Sequence, residues 1–250
     1  MKKILANIGG GYLESKVNDY PQITADCFIP IGSACRPAYW LRKSELRYCS
    51  LPFDWMMNFP LSTIISTLKH GISDWFNEYV EDKNKIGKKA RYVTDIKNRI
   101  ISMYGFPIEK TVDEYMTEFK ELFGRRYERM KDILKTSKSI CLICNRNDDI
   151  YNFQLFLREI AKMYPKLQIK LLNIRHSDLE QEIIKYEINP NVIFYDIKAN
   201  DIHANGSDKS NPSFWIGNED LWNEVCSHLS LSEDVKKKIE GDNKNKDSAA

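Results

Sequence analysis

"SICLICN" (residues 139–145), "LQIKLLNI" (167–174) and "NVIFYDI" (191–197) are three short runs rich in apolar and β-branched residues. Two segments with helical spacing of their apolar residues separate them, "YNFQLFLREIAKMY" (151–164) and "SDLEQEIIKYEI" (177–188). Strands that alternate with helices are typical of βαβ units around a parallel sheet. The region therefore predicts an α/β fold with a mainly parallel, Rossmann-like sheet flanked by helices.

A fourth buried run, "DCFIPIG" (26–32), lies upstream and is followed by a turn and by a helix that begins near Pro37. Crossover connections between parallel strands are right-handed and place the strands in one sheet. We therefore expect four strands side by side. Their expected ranges are residues 26–31, 139–144, 168–174 and 191–196.

Residues 61–135 differ from both flanking regions because their pattern is mostly helical and rich in Phe, Tyr and Lys. They predict a helical insertion after the first βα unit. Its Lys-rich piece "EDKNKIGKKARYV" (81–93) predicts a solvated loop. Residues 233–250 contain no aromatic residue and predict a flexible charged tail. We thus expect a single α/β domain over residues 1–232.

The charge balance of the chain argues against a nucleic-acid partner. The 250 residues include 37 Lys and Arg against 35 Asp and Glu, which gives a formal net charge of +2 rather than a basic excess. No run approaches the roughly 20 apolar residues of a membrane span, and the N-terminus lacks the apolar core of a signal peptide. We expect a cytoplasmic protein without a membrane span, whose six cysteines are reduced thiols.

The stretch "CFIPIGSACRPAYWLRK" (27–43) places Cys35 between a Gly-Ser turn and the predicted helix. Unpaired backbone N–H groups and the positive end of the helix dipole lower the pKa of a thiol there and can bind an oxyanion. Arg36 would add to both effects, so we expect a thiolate with a pKa below the ordinary value of about 8.5. A small buried cysteine that packs behind the turn is the alternative.

A second stretch, "RYCSLPFDWMMNFP" (47–60), has neither helical nor strand periodicity and predicts a tight loop. Asp54 lies among apolar residues of this loop, where an ionised carboxylate needs a partner. Arg36, Arg126 and Arg129 are the candidate partners. The cleft predicted at the C-terminal edge of the sheet contains Gly32, Ser33, Cys35 and Asp54.

Four short motifs of the chain are unusual in combination. They are "GSAC" (32–35), "PFDW" (52–55), "FGRRYERM" (123–130) and "ICLIC" (140–144). Together they resemble a bacterial family of unknown function described as papain-like cysteine peptidases, and the resemblance spans most of residues 25–225. It implies a cysteine hydrolase in which Cys35 is the nucleophile and a histidine later in the chain is its partner.

Of the four histidines, His203 is the best placed. It follows the strand expected at residues 191–196, and the sites of parallel sheets lie beyond the C-terminal ends of their strands. Asn205 or Asp201 could orient its imidazole. His176 follows another predicted strand and is the alternative, while His203 could also be an exposed loop residue.

These arguments give a set of expected site residues. The expected catalytic residues are Cys35, His203, Asp54 and Ser33, and the expected substrate-binding residues are Gly32, Arg36, Arg126, Arg129 and Trp55. Guanidinium groups on one helix bind carboxylate or phosphate, although a solvated helix face is the alternative for the last two arginines. No metal and no cofactor is expected, because Cys141 and Cys144 of "CLIC" lie three apart on a strand and point to opposite faces.

Two function classes stay open. The first is a hydrolase or acyl transferase in which Cys35 attacks a carbonyl, the helix N-terminus and the Ser33 backbone bind the oxyanion, and His203 moves the proton. The second is a transferase or binding protein of surface-polysaccharide biosynthesis, in which the same turn binds an anion or a sugar nucleotide. Either class acts on a small-molecule, peptide or glycan substrate.

Overall fold

The structure is a computed structural model that describes residues 3–5, 12–85, 89–202 and 214–247. Its strands are, in chain order, β1 (Lys3–Leu5), β2 (Tyr12–Val17), β3 (Ile23–Ala25), β4 (Cys27–Pro30), β5 (Met56–Met57), β6 (Tyr79–Glu81), β7 (Val93–Asp95), β8 (Ile101–Ser102), β9 (Ser139–Cys144), β10 (Gln168–His176), β11 (Glu182–Asn189), β12 (Val192–Ala199) and β13 (Leu229–Leu231). Its α-helices are α1 (Arg36–Lys43), α2 (Leu61–His70), α3 (Val112–Thr136), α4 (Ile150–Met163), α5 (Glu219–Ser227) and α6 (Glu233–Asp247).

The central sheet, as far as the described residues go, has the strand order β1-β2-β11-β12-β10-β9-β4. The four strands expected from the sequence, β4, β9, β10 and β12, are adjacent in it and parallel. Their register aligns Ile29, Leu142, Leu171 and Phe194 in one apolar row across the sheet. The predicted α/β class and the parallel part of the sheet are confirmed.

The sheet is mixed rather than parallel throughout, because β11, β2 and β1 continue it with antiparallel pairing. The helix expected over residues 177–188 is therefore wrong, since most of that segment is strand β11. Its buried side chains are Ile183, Tyr186 and Ile188, and its backbone pairs with β12 on one side and β2 on the other. Pairing on both sides outweighs the helical spacing. The narrower Rossmann-like expectation is not confirmed.

Each face of the sheet carries its own apolar core, because successive strand residues point to opposite sides. On β9, Ile140, Leu142 and Cys144 belong to the core that α2, α3 and α4 cover. Cys141 and Ile143 belong to the core that α1 and α5 cover. Cys141 and Cys144 thus lie on opposite faces, as their spacing predicts.

Residues 61–135 are only partly helical. Helices α2 and α3 form where the periodicity is clearest, but the chain between them contains β6, β7 and β8, which form a separate antiparallel sheet with β5 from before α2. Buried Asp95 closes the turn after β7, because its carboxylate accepts from the N–H groups of Phe76 (2.7 Å) and Asn98 (2.9 Å). The expectation of a helical insertion is therefore not confirmed for its middle part, where such turn contacts favour strands. The expected Lys-rich loop, residues 81–93, connects β6 to β7, and its residues 86–88 lie outside the described ranges.

The C-terminal segment packs against the beginning of the chain. Strands β3 and β13 pair in parallel as a small second sheet. The charged segment that was expected to be a flexible tail continues as helix α6. Among the described helices, none combines the length and the apolar character that crossing a bilayer requires.

Candidate active site

A tight turn links β4 to α1 at the C-terminal edge of the parallel strands. Ser33 fixes it from two sides: its hydroxyl donates to the Asn145 carbonyl (3.2 Å), and its own carbonyl accepts from the Asn58 N–H (3.0 Å). Gly32 is required because a Cβ there would lie 2.7 Å from Asn145 Oδ1 and 2.7 Å from the Pro37 ring. The turn is therefore held between two other loops of the same sheet edge.

Cys35 occupies the N-cap position of α1, and its carbonyl accepts from the Tyr39 N–H. The residue is only 7% exposed, and burial raises the pKa of the thiol to about 12. The expectation of a lowered thiol pKa is therefore wrong, because burial disfavours the charged thiolate. A proton must be removed from Cys35 before or during any reaction of its sulfur.

Arg36, which the sequence placed as an aid to Cys35, instead binds the C-terminal part of the chain. It forms an ion pair with the buried Asp201, and its Nε donates to the Trp215 carbonyl (2.8 Å). The other carboxylate oxygen of Asp201 accepts from the Trp222 indole N–H (2.9 Å). Asp201 and Trp215 thus both lie beside the first turn of α1.

Asp54 is buried, and its partner is Arg47 rather than any of the three arginines expected from the sequence. The oxygen Oδ2 accepts from Arg47 Nε (2.8 Å) and from the Leu51 N–H (2.9 Å). The oxygen Oδ1 is buried and has no hydrogen-bond partner within the described ranges. Burial raises the pKa of Asp54 against the effect of Arg47. Asp54 therefore anchors its loop and leaves one acceptor unused.

A cavity of about 200 Å³ opens beside Asp54, and its lining includes Trp55, Tyr104 and Arg126. Trp55 has a φ of +64°, a left-handed conformation that costs energy for a bulky residue and is typical of functional loops. Its ring meets the Tyr104 ring edge-on, with centroids 6.0 Å apart. Tyr104 also interacts electrostatically with Cys35, which supports one site that contains both the thiol and the cavity.

Two arginines of α3, Arg126 and Arg129, were expected to bind substrate, and their contacts differ. Arg126 lies over the Phe123 ring at 4.6 Å from its centroid and interacts electrostatically with Asp54. Its Nε is buried without a partner among the residues described. Arg129 donates to the Ser50 carbonyl (2.7 Å). Arg126 therefore borders the cavity, whereas Arg129 supports the loop that carries Asp54.

The expected proton acceptor, His203, lies outside the described residues, as does Asn205. The alternative, His176, is exposed, and its Nε2 lies 3.1 Å from the Asp178 carboxylate. The Nδ1 atom of His176 accepts from the Asp201 N–H (3.2 Å). His176 is therefore linked to the carboxylate network at the start of α1, and no contact between this histidine and the Cys35 thiol occurs in the described structure.

A buried polar cluster at the same sheet edge was missed by the sequence analysis. Asn173 accepts from the Arg146 N–H (2.8 Å) and donates to Asp196 (2.9 Å). The Arg146 guanidinium donates to the carbonyls of Ile31 (3.3 Å) and Phe59 (2.9 Å). This arginine thus ties the turn before Cys35 to the loop after Trp55. Polar residues that interrupt two apolar strands, Asn173 and Asp196, were the signal that could have indicated the cluster.

Fold and site together define an α/β protein with a buried cysteine at a strand-to-helix turn and a cavity beside an aspartate. A family model described as "putative papain-like cysteine peptidase" matches residues 26–196. The match covers more than half of the chain, and the chain belongs to this family. The matched region includes Cys35 and Asp54 and ends before His203.

One curated relative has no assigned activity. "Uncharacterized protein R408" of Acanthamoeba polyphaga mimivirus is 28% identical over 134 residues, which are 46% of this chain and 60% of that protein. The chain thus spans less than two thirds of this relative's length. The relative is viral, so it does not support the bacterial origin that the motif resemblance implied. No solved structure is significantly similar to the chain.

Proposed function

We propose that this protein is a cysteine-dependent hydrolase or acyl transferase whose nucleophile is Cys35. The observation that carries the proposal is the position of Cys35 at the N-terminus of α1, near enough for an electrostatic interaction with Tyr104, which lines the cavity together with Asp54 and Trp55. Backbone N–H groups at a helix N-terminus stabilise an oxyanion. The family description supports a cysteine hydrolase in general terms.

The protonated state of Cys35 decides how such a reaction begins. With a pKa of about 12, about one molecule in 10⁵ carries the thiolate at pH 7. A general base therefore takes the thiol proton as the sulfur attacks the carbonyl carbon, rather than before substrate binds. The C–S bond forms, the bond to the leaving group breaks, and the base passes the proton to the leaving group. Water or an acyl acceptor then cleaves the thioester.

His203 is the base that we propose for this step. It follows Asp201 by two residues in the sequence, and Arg36, the residue next to Cys35, holds Asp201. Ser33 is a positioning residue: its hydroxyl donates to the Asn145 carbonyl (3.2 Å) and so holds the turn in place.

The cavity favours a substrate with an amide group. Asp54 and Arg126 both line the cavity, and the first has a buried acceptor (Oδ1) and the second a buried donor (Nε) without a partner among the described residues. An amide donates and accepts at once, so a peptide bond matches both atoms if the two side chains turn towards the cavity when the substrate binds. Trp55 and Tyr104 supply an apolar wall for a neighbouring side chain.

The alternative function, a transferase or binding protein for sugar nucleotides, needs arginines that are free to bind an anion. Arg36 is paired with Asp201, and Arg129 donates to the Ser50 carbonyl. Of the arginines expected to bind substrate, only Arg126 borders the cavity without an ion-pair partner among the described residues, and a single arginine is a weaker anion site than a pair, so we prefer the hydrolase.

The test is turnover and covalent trapping with a panel of fluorogenic peptide amides and acyl thioesters. We expect an acyl adduct on Cys35 by mass spectrometry and loss of turnover in Cys35→Ala. That variant should lose no more than about 1 kcal/mol of unfolding free energy, because only one buried sulfur atom is removed. Cys49→Ser is the matched control and should keep its activity. Turnover that persists in Cys35→Ala would exclude Cys35 as the nucleophile.

A further inference from the structure

A second pair of thiols lies apart from the proposed nucleophile. Cys27 is the first residue of β4, and Cys49 lies in the loop after α1, yet their side chains are in hydrogen-bond contact. Cys27 is 2% exposed, whereas Cys49 is half-buried. The hydroxyl of Tyr48, the residue before Cys49, donates to the Asp26 carbonyl (3.2 Å), which holds the two segments together. The fold thus places one closed and one accessible thiol side by side.

Two guanidinium groups are fixed on the residue next to Cys49. Arg129 donates to the Ser50 carbonyl (2.7 Å), and Arg47 donates to the Ser50 hydroxyl (3.0 Å). Cys49 and Arg129 also line a cavity of about 1000 Å³ between α3 and α6. A small solute therefore has access to Cys49 beside two guanidinium groups.

The two thiols differ in their pKa. The hydrogen bond from Cys27 and the charges of Arg129 and Arg47 lower the pKa of Cys49, against burial and the Asp54 carboxylate. The same hydrogen bond and burial raise the pKa of Cys27. Cys49 is therefore the more acidic thiol of the pair, and the Cys27 thiol, which also donates to the Phe28 carbonyl (3.7 Å), is the less acidic one.

We propose that Cys49 and Cys27 form a peroxide-sensitive pair that closes to a disulfide. The Cys49 thiolate attacks one oxygen of hydrogen peroxide, so an S–O bond forms, the O–O bond breaks and hydroxide leaves. The Cys27 sulfur then attacks the sulfur of the Cys49 sulfenic acid, so the S–S bond forms and the S–O bond breaks. The Cys27 proton joins the departing hydroxide as water. Two thiols are oxidised and one peroxide is reduced.

The disulfide would connect two segments that lead into the Cys35 site. Cys27 begins the strand that ends at the Gly32 turn, and Cys49 precedes the loop anchored by Asp54. The pair itself uses none of the residues proposed for acyl transfer, so the two proposals succeed or fail separately.

Peptide mapping of the reduced, full-length protein after dosing with hydrogen peroxide tests the pair. We expect a Cys27–Cys49 linked peptide under non-reducing conditions, before any oxidation of Cys35. Reduction should restore both thiols. A disulfide that joins other cysteines, or oxidation of Cys35 while Cys49 stays reduced, would overturn the proposal. This measurement needs no variant and does not depend on an activity assay.

Single substitutions test the two roles, which are attack on peroxide by Cys49 and attack on the sulfenic acid by Cys27. In Cys27→Ala, Cys49 should accumulate as a sulfenic acid that dimedone traps, because no resolving thiol is present. In Cys49→Ser, neither the disulfide nor the dimedone adduct should form. Cys226→Ser is the matched control, because it removes a buried thiol elsewhere and should leave the linked peptide unchanged. If Cys27→Ala does not fold, the wild-type map and Cys49→Ser decide the question.

The effect of the Arg129 charge on the reactivity of Cys49 is tested separately. Arg129→Gln removes a cation beside Cys49 and should slow formation of the disulfide several-fold at neutral pH. Arg125→Gln removes a cation of the same helix that lines the same cavity but is not among the charges acting on Cys49. Equal rates in the two variants would contradict a role for Arg129.

Discussion

The pKa of a thiol depends on its exposure to water and on nearby charges. In this chain the pKa is raised for some thiols and lowered for Cys49. Burial raises the pKa of Cys35 and of Cys141 to about 12. Cys49 has a lowered pKa, because a second thiol and two guanidinium groups stabilise its thiolate. Nucleophilicity at neutral pH is therefore set by the neighbours of a cysteine rather than by its place at a helix N-terminus alone.

Alkylation with iodoacetamide at pH 7 should accordingly modify Cys49 before Cys35. The rate at Cys35 should then rise about tenfold per pH unit until the pH approaches its pKa, because only the thiolate reacts. Site-resolved mass spectrometry over a pH series measures both rates. Faster labelling of Cys35 than of Cys49 at pH 7 would show that the thiol is more acidic than its burial implies.

The Gly32 turn gives a second prediction at this scale. Gly32→Ala should lower the free energy of unfolding by about 1–3 kcal/mol, because its Cβ would press on Asn145 and Pro37. Gly124→Ala is the matched control. A Cβ at Gly124 meets nothing within 4 Å, so this change within α3 should stabilise the protein by about 0.5–1 kcal/mol. Urea unfolding of both variants checks the opposite signs.

Among the loops, the one that carries Asp54 depends on a single ion pair. The Arg47 side chain is 14% exposed and that of Asp54 is fully buried, so neither charge can turn to water without a change of the loop. This loop also carries Trp55 with its left-handed backbone. The pair therefore fixes the wall of the cavity as much as it stabilises the fold.

Arg47→Met should cost about 3 kcal/mol of unfolding free energy, because it leaves a buried carboxylate without its cation. The double variant Arg47→Met/Asp54→Leu should lose less than the sum of the two single changes, since it removes both charges. Lys110→Met, which breaks an exposed pair with Glu118, is the control and should change stability by less than about 1 kcal/mol. Additive losses in the double variant would mean that the pair does not couple.

Strands with local signals were predictable, and strands with distant partners were not. β4, β9, β10 and β12 are short apolar runs that pair with one another. β11 has helical spacing in the sequence, and its strand state depends on β2, which lies at the other end of the chain. The same limit applies to the site: Cys35 and Asp54 were found from local composition, whereas the choice of Arg47 over Arg36, Arg126 or Arg129 depends on how the loop folds back.

The stability of the whole molecule should depend on pH through its buried thiols. The ordinary pKa of a thiol is about 8.5 to 9, and folding raises that of Cys35 and of Cys141 to about 12. A raised pKa stabilises the fold while the proton stays on, so this contribution is complete below pH 9 and is lost as the pH rises towards 12. Cys49 has the opposite sign, because its contribution is present above 9.0 and is lost as the pH falls through its folded pKa.

Urea unfolding under reducing conditions, from about pH 8 to about pH 11, measures this dependence. The free energy of unfolding should fall with rising pH, by up to about 1.4 kcal/mol per pH unit for each buried thiol. Cys141→Val, which keeps the apolar volume and removes the proton, should show a shallower fall. If the free energy of unfolding falls equally steeply with pH in the wild type and in Cys141→Val, groups other than Cys141 cause the fall.

The pairing of early strands with late ones sets an order of events during synthesis. β2 and β3 precede residue 26, yet their partners β11 and β13 begin only at Glu182 and Leu229. Contacts between distant segments form only after the cost of closing the intervening loop is met. On the ribosome, β4, β9 and β10 can therefore pair before β11 and β12 are made, while one edge of β2 and one edge of β10 stay open. A nascent chain that stalls before β11 would display those edges to chaperones and to other unfinished chains.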